Sequence, residues 1–459
     1  MYSIIKKKSQ DKKFASGNSI FRHLPELLSL ALPIILSRTG VLLMITADTV
    51  MLGRYSTREL AVFNIGTVYV IPLLVISLGL LMGTLVMTVS AYSQGHFQDC
   101  GGIWRKSIPY ALILSFAIIF ISMFGEDILL LSKQTPDLAK DGGQVMLIMA
   151  FGIPAYLIFL TTAFFLEGIK RPVPVMIVMV FANFLNFFLN WVFIFGNFGV
   201  SEMGADGAVL ATSLSRWFLS IVLVVYVLYM PDYNKFAVRI RPTGGWQSWV
   251  KQRRIGYAIG ISVGVETMAF AIVNIFAGWL GETSLAIFSI VFNLIAIVFM
   301  AALGIGAATA IKVGFAYGQR HYDEMATCGW TGLGLNSLFM IVVGLTMWVF
   351  AKNIANFYTN DLELITLTSP LIALAAFILI FDGGQVVMNN ALRGRQDVWI
   401  PSLFQTFNFL VLMVPLSWFL TFQMGYGAEG LILGILYASI VAVIILSARF
   451  YVMSKTNNT

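Results

Sequence analysis

Runs of about eighteen or more apolar residues recur along the whole chain, and that recurrence settles most of what it can fold into. A helix of that length crosses a hydrocarbon core of ~30 Å, and only helices or closed barrels keep every backbone group paired there. Twelve such segments can be drawn, at 27–52, 60–92, 106–124, 143–166, 173–196, 205–229, 255–280, 284–317, 328–351, 362–391, 398–422 and 428–450. Charged residues make up 11% of the chain, less than half of the roughly 25% that keeps a soluble domain solvated. The expectation is an all-α polytopic membrane protein.

The basic residues orient it. Six lie in the tail before the first span (Lys6, Lys7, Lys8, Lys12, Lys13, Arg22) and six in the segment 230–254 (Lys235, Arg239, Arg241, Lys251, Arg253, Arg254). Arg105, Lys106, Lys170, Arg171, Arg320, Arg393, Arg395, Arg449 and Lys455 fall on the same side, against Arg54, Arg58, Lys133, Lys140 and Lys352 on the other. The richer side is read as cytoplasmic, with both termini inside a bacterial inner membrane. Residues 1–20 are too polar for a signal-peptide core, so an uncleaved chain is expected. The net charge of +7, which in a soluble protein would point to nucleic acid, is this topogenic excess; no nucleic-acid partner is expected.

The halves repeat. Residues 91–99 (AYSQGHFQD) match 316–324 (AYGQRHYDE) at an offset of 225, 60–65 match 285–290 at the same offset, and 204–211 match 427–434 at 223. Six spans per half is even, so both halves insert the same way and are related by an axis along the membrane normal. The expected architecture is two parallel six-helix lobes around a central cleft: a tail at 1–26, an N-lobe at 27–229, a basic connector at 230–254 and a C-lobe at 255–453. This is a transporter plan. Two cysteines, Cys100 and Cys328, read as loop residues without a CxxC partner, and His23, His96 and His321 are scattered. Neither a zinc-type site nor a disulfide framework is expected, nor any cofactor.

Acids inside such spans cost about 2.5–3.5 kcal/mol each by insertion scales, so each asks for a function. Asp48 lies in span 1, Glu266 in span 7 and Asp382 in span 10. Glu266 stands about 18 Å beyond Arg254 and Asp382 about 16 Å before Arg393 at 1.5 Å per residue, which sets both at one depth. No base is expected beside them. Arg38 shares a helix with Asp48 but lies about 15 Å away along the axis. A carboxylate so placed either binds Na+ or H+ or serves as a structural hydrogen-bonder. Of the intramembrane bases Arg216 and Lys312, the second is expected to snorkel to the cytoplasmic interface. Asn183, Asn186 and Asn190 recur on one face of span 5, as neutral cation ligands or as helix glue.

At these residues the chain resembles the multidrug and toxic compound extrusion (MATE) family, NorM-like branch. Residues 47–53 (ADTVMLG) resemble its span 1 acidic motif, 264–268 (GVETM) its span 7 region, and 381–387 (FDGGQVV) followed by 392–394 (LRG) its span 10 motif. The resemblance runs over all twelve spans and implies export of amphiphilic organic cations in exchange for Na+ or H+ by a monomer. It implies Glu266 and Asp382 as the C-lobe cation site, holding Na+ if Na+ is the coupling ion, and Asp48 in the N-lobe. Asp361 sits where relatives carry an acid implicated in drug contact. Asn186, Asn190 and Thr212 occupy the positions of an N-lobe cation site in another branch, where Asn190 is an aspartate. The proline common early in span 7 is missing from 258–260 (AIG). The alternatives are a lipid-linked-oligosaccharide flippase, for which a basic cavity is lacking, and a membrane-embedded enzyme, for which clustered catalytic groups are lacking.

Overall fold

A computed structural model describes residues 19–241, 245–359 and 361–455. The tail lysines Lys6 to Lys13, and with them the expectation of an uncleaved N-terminus, lie outside these residues, as does position 360. Among the described residues twelve helices are long and apolar enough to cross a membrane. Spans 1 to 6 are His23–Tyr55, Val70–Ser93, Phe97–Ser122, Pro136–Gly168, Val173–Phe195 and Gly204–Tyr229. Spans 7 to 12 are Gln247–Trp279, Glu282–Gly318, Tyr322–Val349, Leu362–Gly394, Trp399–Gln423 and Gly427–Lys455. Odd spans begin at the face where span 1 begins, called here the N-face; the opposite end is the far face.

The helices overrun the apolar stretches that announce them. Span 3 starts at Phe97 and span 9 at Tyr322, so Cys100 and Cys328 are buried helix residues rather than loop residues. The apolar run 60–92 is not one span: a separate helix, Thr57–Thr67, lies at the far face, and the crossing begins at Val70. The helix of span 7 starts at Val250, which puts Lys251, Arg253 and Arg254 on it rather than in the connector. Span 11 changes register twice, with π-helical turns at Asn408–Met413 and Phe419–Gln423 on either side of Val414–Trp418. Pro415, which has no N–H to continue an i→i−4 ladder, lies on the segment between them.

The internal repeat is written into the backbone. Left-handed turn residues recur at matched positions, Gly95 with Arg320, Lys170 with Gln396 and Gly204 with Gly427. One core draws mainly on residues from Leu27 to Val238, joined by Ile305, Ala307, Ala308, Ile311 and Val387 of spans 8 and 10, and a second draws on residues from Ala269 to Ala438. The two lobes meet from mid-depth to the N-face. A Cβ on Gly256 would lie 2.0 Å from the Leu80 carbonyl oxygen, and one on Gly83 would lie 2.2 Å from that of Gln252. Spans 2 and 7 therefore touch backbone to backbone, a contact only glycine permits. Ser93 touches Gly318, its own counterpart under the offset of 225, so the pseudo-two-fold axis passes between them. The Lys170 ammonium lies 3.2 Å from the centroid of the Phe315 ring, and the pair related by the repeat, Gln396 and Ser90, is hydrogen-bonded at 2.8 Å. Val86, Ile255, Ala258, Ile259 and Val398 close the seam with an apolar cluster drawn from both lobes. Ile35 of span 1 packs against both cores, so the lobes meet through the middle of the bundle as well.

Candidate functional site

In the N-lobe the sequence-selected residues converge. Span 5 presents Asn186 and Asn190 one turn apart, span 6 brings Thr212, and all three face Asp48 of span 1. Asp48 Oδ1 accepts from Asn190 Nδ2 at 2.6 Å and Asn186 Nδ2 at 3.3 Å, while Oδ2 accepts from Thr212 Oγ1 at 2.6 Å. Every member is buried. Asn190 Oδ1 is buried with no hydrogen-bond partner among the described residues, leaving one acceptor turned inward beside the carboxylate. Asn183 takes no part; its amide donates to the Met179 carbonyl of its own helix. Arg216 is buried over the Tyr156 ring, 5.0 Å from its centroid, and acts on Asp48 through space.

Arg38 finds a partner that sequence reading missed. Its Nη2 lies 3.1 Å from Oε1 of Glu167, at the end of span 4. Ending that span at 166 assigns Glu167 to a loop; the helix runs on to Gly168 and buries it completely. Lys312 is corrected as well. It does not snorkel: it is buried, and its ammonium pairs with Glu26 of span 1 across the seam between the lobes.

The C-lobe acids are treated differently. Asp382 is buried in span 10, and its Oδ1 accepts from Gln385 Nε2 at 2.5 Å and Ser439 Oγ at 3.3 Å. Gln385 in turn accepts from Gln405 Nε2 of span 11 at 3.5 Å. Glu266 on span 7 is half-buried, and among the described residues no hydrogen bond or ion pair meets its carboxylate. The charged groups that act on it through space are Asp382 and Arg393. Arg393 thus departs from expectation. Counted among the flanking charges of the membrane, it is instead the penultimate residue of span 10, 7% exposed, with Nε unpartnered. Asp361 stands apart from both clusters, exposed at the far face, where it caps span 10 by accepting from the Glu363 and Leu364 amides. That is an N-cap role, which its residue type and place before a helix explain.

Two parallel six-span lobes, joined at one face and carrying buried carboxylates in each lobe, define the class: a membrane transporter, not an enzyme. The chain belongs to the MatE family, whose model matches residues 33–192 and 258–419. Its relatives are bacterial proteins named NorM. It is 32% identical to the probable multidrug resistance protein NorM of Caulobacter vibrioides over 94% of this chain and 92% of that one. It is 26% identical to that of Brucella suis over 93% and 92%, and 25% identical to that of Bacillus anthracis over 96% and 98%. The fold is shared with a crystallised eukaryotic MATE transporter at a TM-score of 0.86, with 17% identity, covering 96% of this chain and 99% of the other. It is also shared with a multidrug resistance MATE transporter solved in an outward-facing conformation, at a TM-score of 0.86 with 17% identity over 94% and 96%. The protein is a multi-pass membrane transporter of this family.

Proposed function

We propose that the protein exports amphiphilic organic cations from a bacterial cell in exchange for Na+ or H+. On this reading it is a monomer of the inner membrane, its N-face is cytoplasmic and both termini are inside. The lobes packed together at the N-face then make this an outward-facing state, and transport requires the N-face seam to part while the far face closes. Glu266 and Asp382 form the C-lobe coupling site and Asp48 anchors the N-lobe site. Asp361, at the mouth of the cleft, is available to an arriving or departing cation.

The observation that carries this is the condition of the two C-lobe acids. Asp382 acts on Glu266 inside one lobe, and among the described residues Glu266 has no donor to satisfy it. Two carboxylates sharing a low-dielectric site repel, which creates demand for one Na+ or H+. An ion that binds one access state better than the other biases the exchange between them by that difference alone. Glu266→Gln and Asp382→Asn are each expected to abolish ion-driven uptake of a fluorescent cationic dye into inverted vesicles while equilibrium dye binding is retained at least in part. The double variant is expected to be hardly worse than either single one, because members of one site are not additive. Wild-type uptake by both single variants across pH and Na+ concentration would place the coupling site elsewhere.

A further inference from the structure

One histidine and one cysteine that look scattered along the chain meet in the fold. His23 on the first turn of span 1, and Glu324 and Cys328 on span 9, bring an imidazole nitrogen, a carboxylate oxygen and a thiol sulfur within 4.8 Å of one another. His23 is 8% exposed, Cys328 2%, and Glu324 is half-buried. Glu324 and Cys328 are four apart on one helix and so share a face. His23 comes from the other lobe. The residues related to these by the repeat are Ser248, Asp99 and Ile103, which offer no second set of ligands; the cluster is not a by-product of duplication.

We propose that His23, Glu324 and Cys328 bind a zinc-class divalent ion that clamps the two lobes together at the N-face. The donor set decides the class of ion. Nitrogen and thiolate with one carboxylate suit Zn2+ or Cd2+ and not Mg2+ or Ca2+, which take oxygen ligands. Around a tetrahedral Zn2+ with bonds of about 2.0–2.3 Å, ligand atoms stand about 3.5 Å apart, so these three need to draw in by ~1 Å. Three protein ligands leave the fourth position to water.

The surroundings can accept the charge. Glu26, one turn beyond His23, already neutralises Lys312, and Glu324 supplies a negative charge of its own. Glu324 is at present 3.4 Å from Nδ1 of exposed His321, so the metal competes with that contact. As the Zn–S bond forms, the Cys328 thiol gives up its proton to solvent, leaving a thiolate ligand. Because the ligands come from spans 1 and 9, the ion can persist only while the N-face is shut. It therefore stabilises that state and slows the exchange that transport requires.

The test begins with binding, which needs no transport and stands apart from the function proposed above. Metal-stripped, purified full-length protein is titrated with Cd2+, whose bond to thiolate gives a near-ultraviolet charge-transfer band. One saturable ion per chain is expected, displaced by Zn2+, lost in Cys328→Ser and kept in Cys100→Ser. His23→Gln, which leaves the thiol in place, is expected to weaken binding at least tenfold and guards against a misfolded Cys328 variant. In vesicles, the ratio of dye uptake with Zn2+ to uptake with chelator should fall well below one for the wild type and return toward one in His23→Gln. Absence of the band in wild-type protein, or its survival at wild-type affinity in either His23→Gln or Cys328→Ser, overturns the site.

Discussion

Changing Gly256 to Ala should open the seam between the lobes. A Cβ at that position lies 2.0 Å from the Leu80 carbonyl oxygen, and carbon–oxygen contacts settle near about 3.3 Å. Spans 2 and 7 must therefore part locally by ~1.3 Å. The obstacle is helix backbone, which has no rotamer to yield, and Gly83 makes the reciprocal contact with Gln252. Overpacking of this kind costs about 1–3 kcal/mol. The cost exists only while the N-face is closed, so it moves the balance of access states about 5- to 150-fold toward the N-face-open form. Alanine also improves helix propensity by ~1 kcal/mol, but in both states alike, so that gain cancels. Ser93, 7% exposed against Gly318, reports the change when replaced by Cys in a chain whose two native cysteines are Ser. An impermeant maleimide applied from the N-face should label it faster in the Gly256→Ala variant by a factor in that range. Equal labelling rates would show that the glycine contacts do not hold the lobes shut.

Four further outcomes are expected. Thr212→Val removes a 2.6 Å donor from the Asp48 carboxylate and should cost about 1.5–3 kcal/mol of stability, a cost that shrinks when Asp48 is already Asn; equal costs in both backgrounds would deny the coupling. Asp48→Asn should also weaken efflux at equal expression, measured as resistance and dye extrusion. Burial pushes the Lys170 ammonium down to about 8 from 10.5, helped by Lys312 and opposed by Glu26 and Glu324. Between those values the unfolded chain binds the extra proton, so stability should rise with pH across the window and flatten above it; Lys170→Met should lose that rise when thermal midpoints are compared at about pH 7 and about pH 10. Lys133→Cys and Lys251→Cys should be labelled from opposite sides of the membrane, and labelling of both from the periplasm would refute the topology proposed here.

Much of this was legible in the chain itself because lipid simplifies folding. Backbone pairing leaves an apolar run of that length one ordinary option, so the twelve helices could be drawn from hydropathy, and the even count per half led to parallel lobes. Asp48 and the span 5 amides Asn186 and Asn190 were read from the residues, Thr212 came from the family resemblance, and the fold brings all four into one cluster. What was not legible follows from two causes. Hydropathy reads where apolar residues stop, not where a helix ends, and helices continue past the hydrocarbon. That hid Glu167, one residue beyond its drawn span, and made Arg393 a flanking charge when it is a buried one. Partnerships across the fold are the second cause. Arg38 with Glu167, Lys312 with Glu26 and His23 with Cys328 join residues far apart in sequence, and no local periodicity encodes them.

The repeat copied the packing of the lobes without copying their acids. At an offset of 225 or 226, Glu266 corresponds to Val41 or Gly40 and Asp382 to Leu157 or Tyr156, all neutral. The one N-lobe acid facing the amides, Asp48, is already satisfied by three uncharged donors, so as an anion it gains less from an arriving cation. Glu266 has no such cage, and its nearest charged influences include another carboxylate. On the function proposed above, demand for the coupling ion falls on the C-lobe, on a residue whose helix also forms the seam. Gly260 lies six residues from Glu266, about 9 Å along the axis, and Gly256 about 15 Å. Both meet Leu80 of span 2. On that proposal, ion binding at Glu266 and the closure of the N-face act on the same helix: a shift or bend of span 7 that accommodates a neutralised Glu266 would be felt where Gly260 and Gly256 touch Leu80.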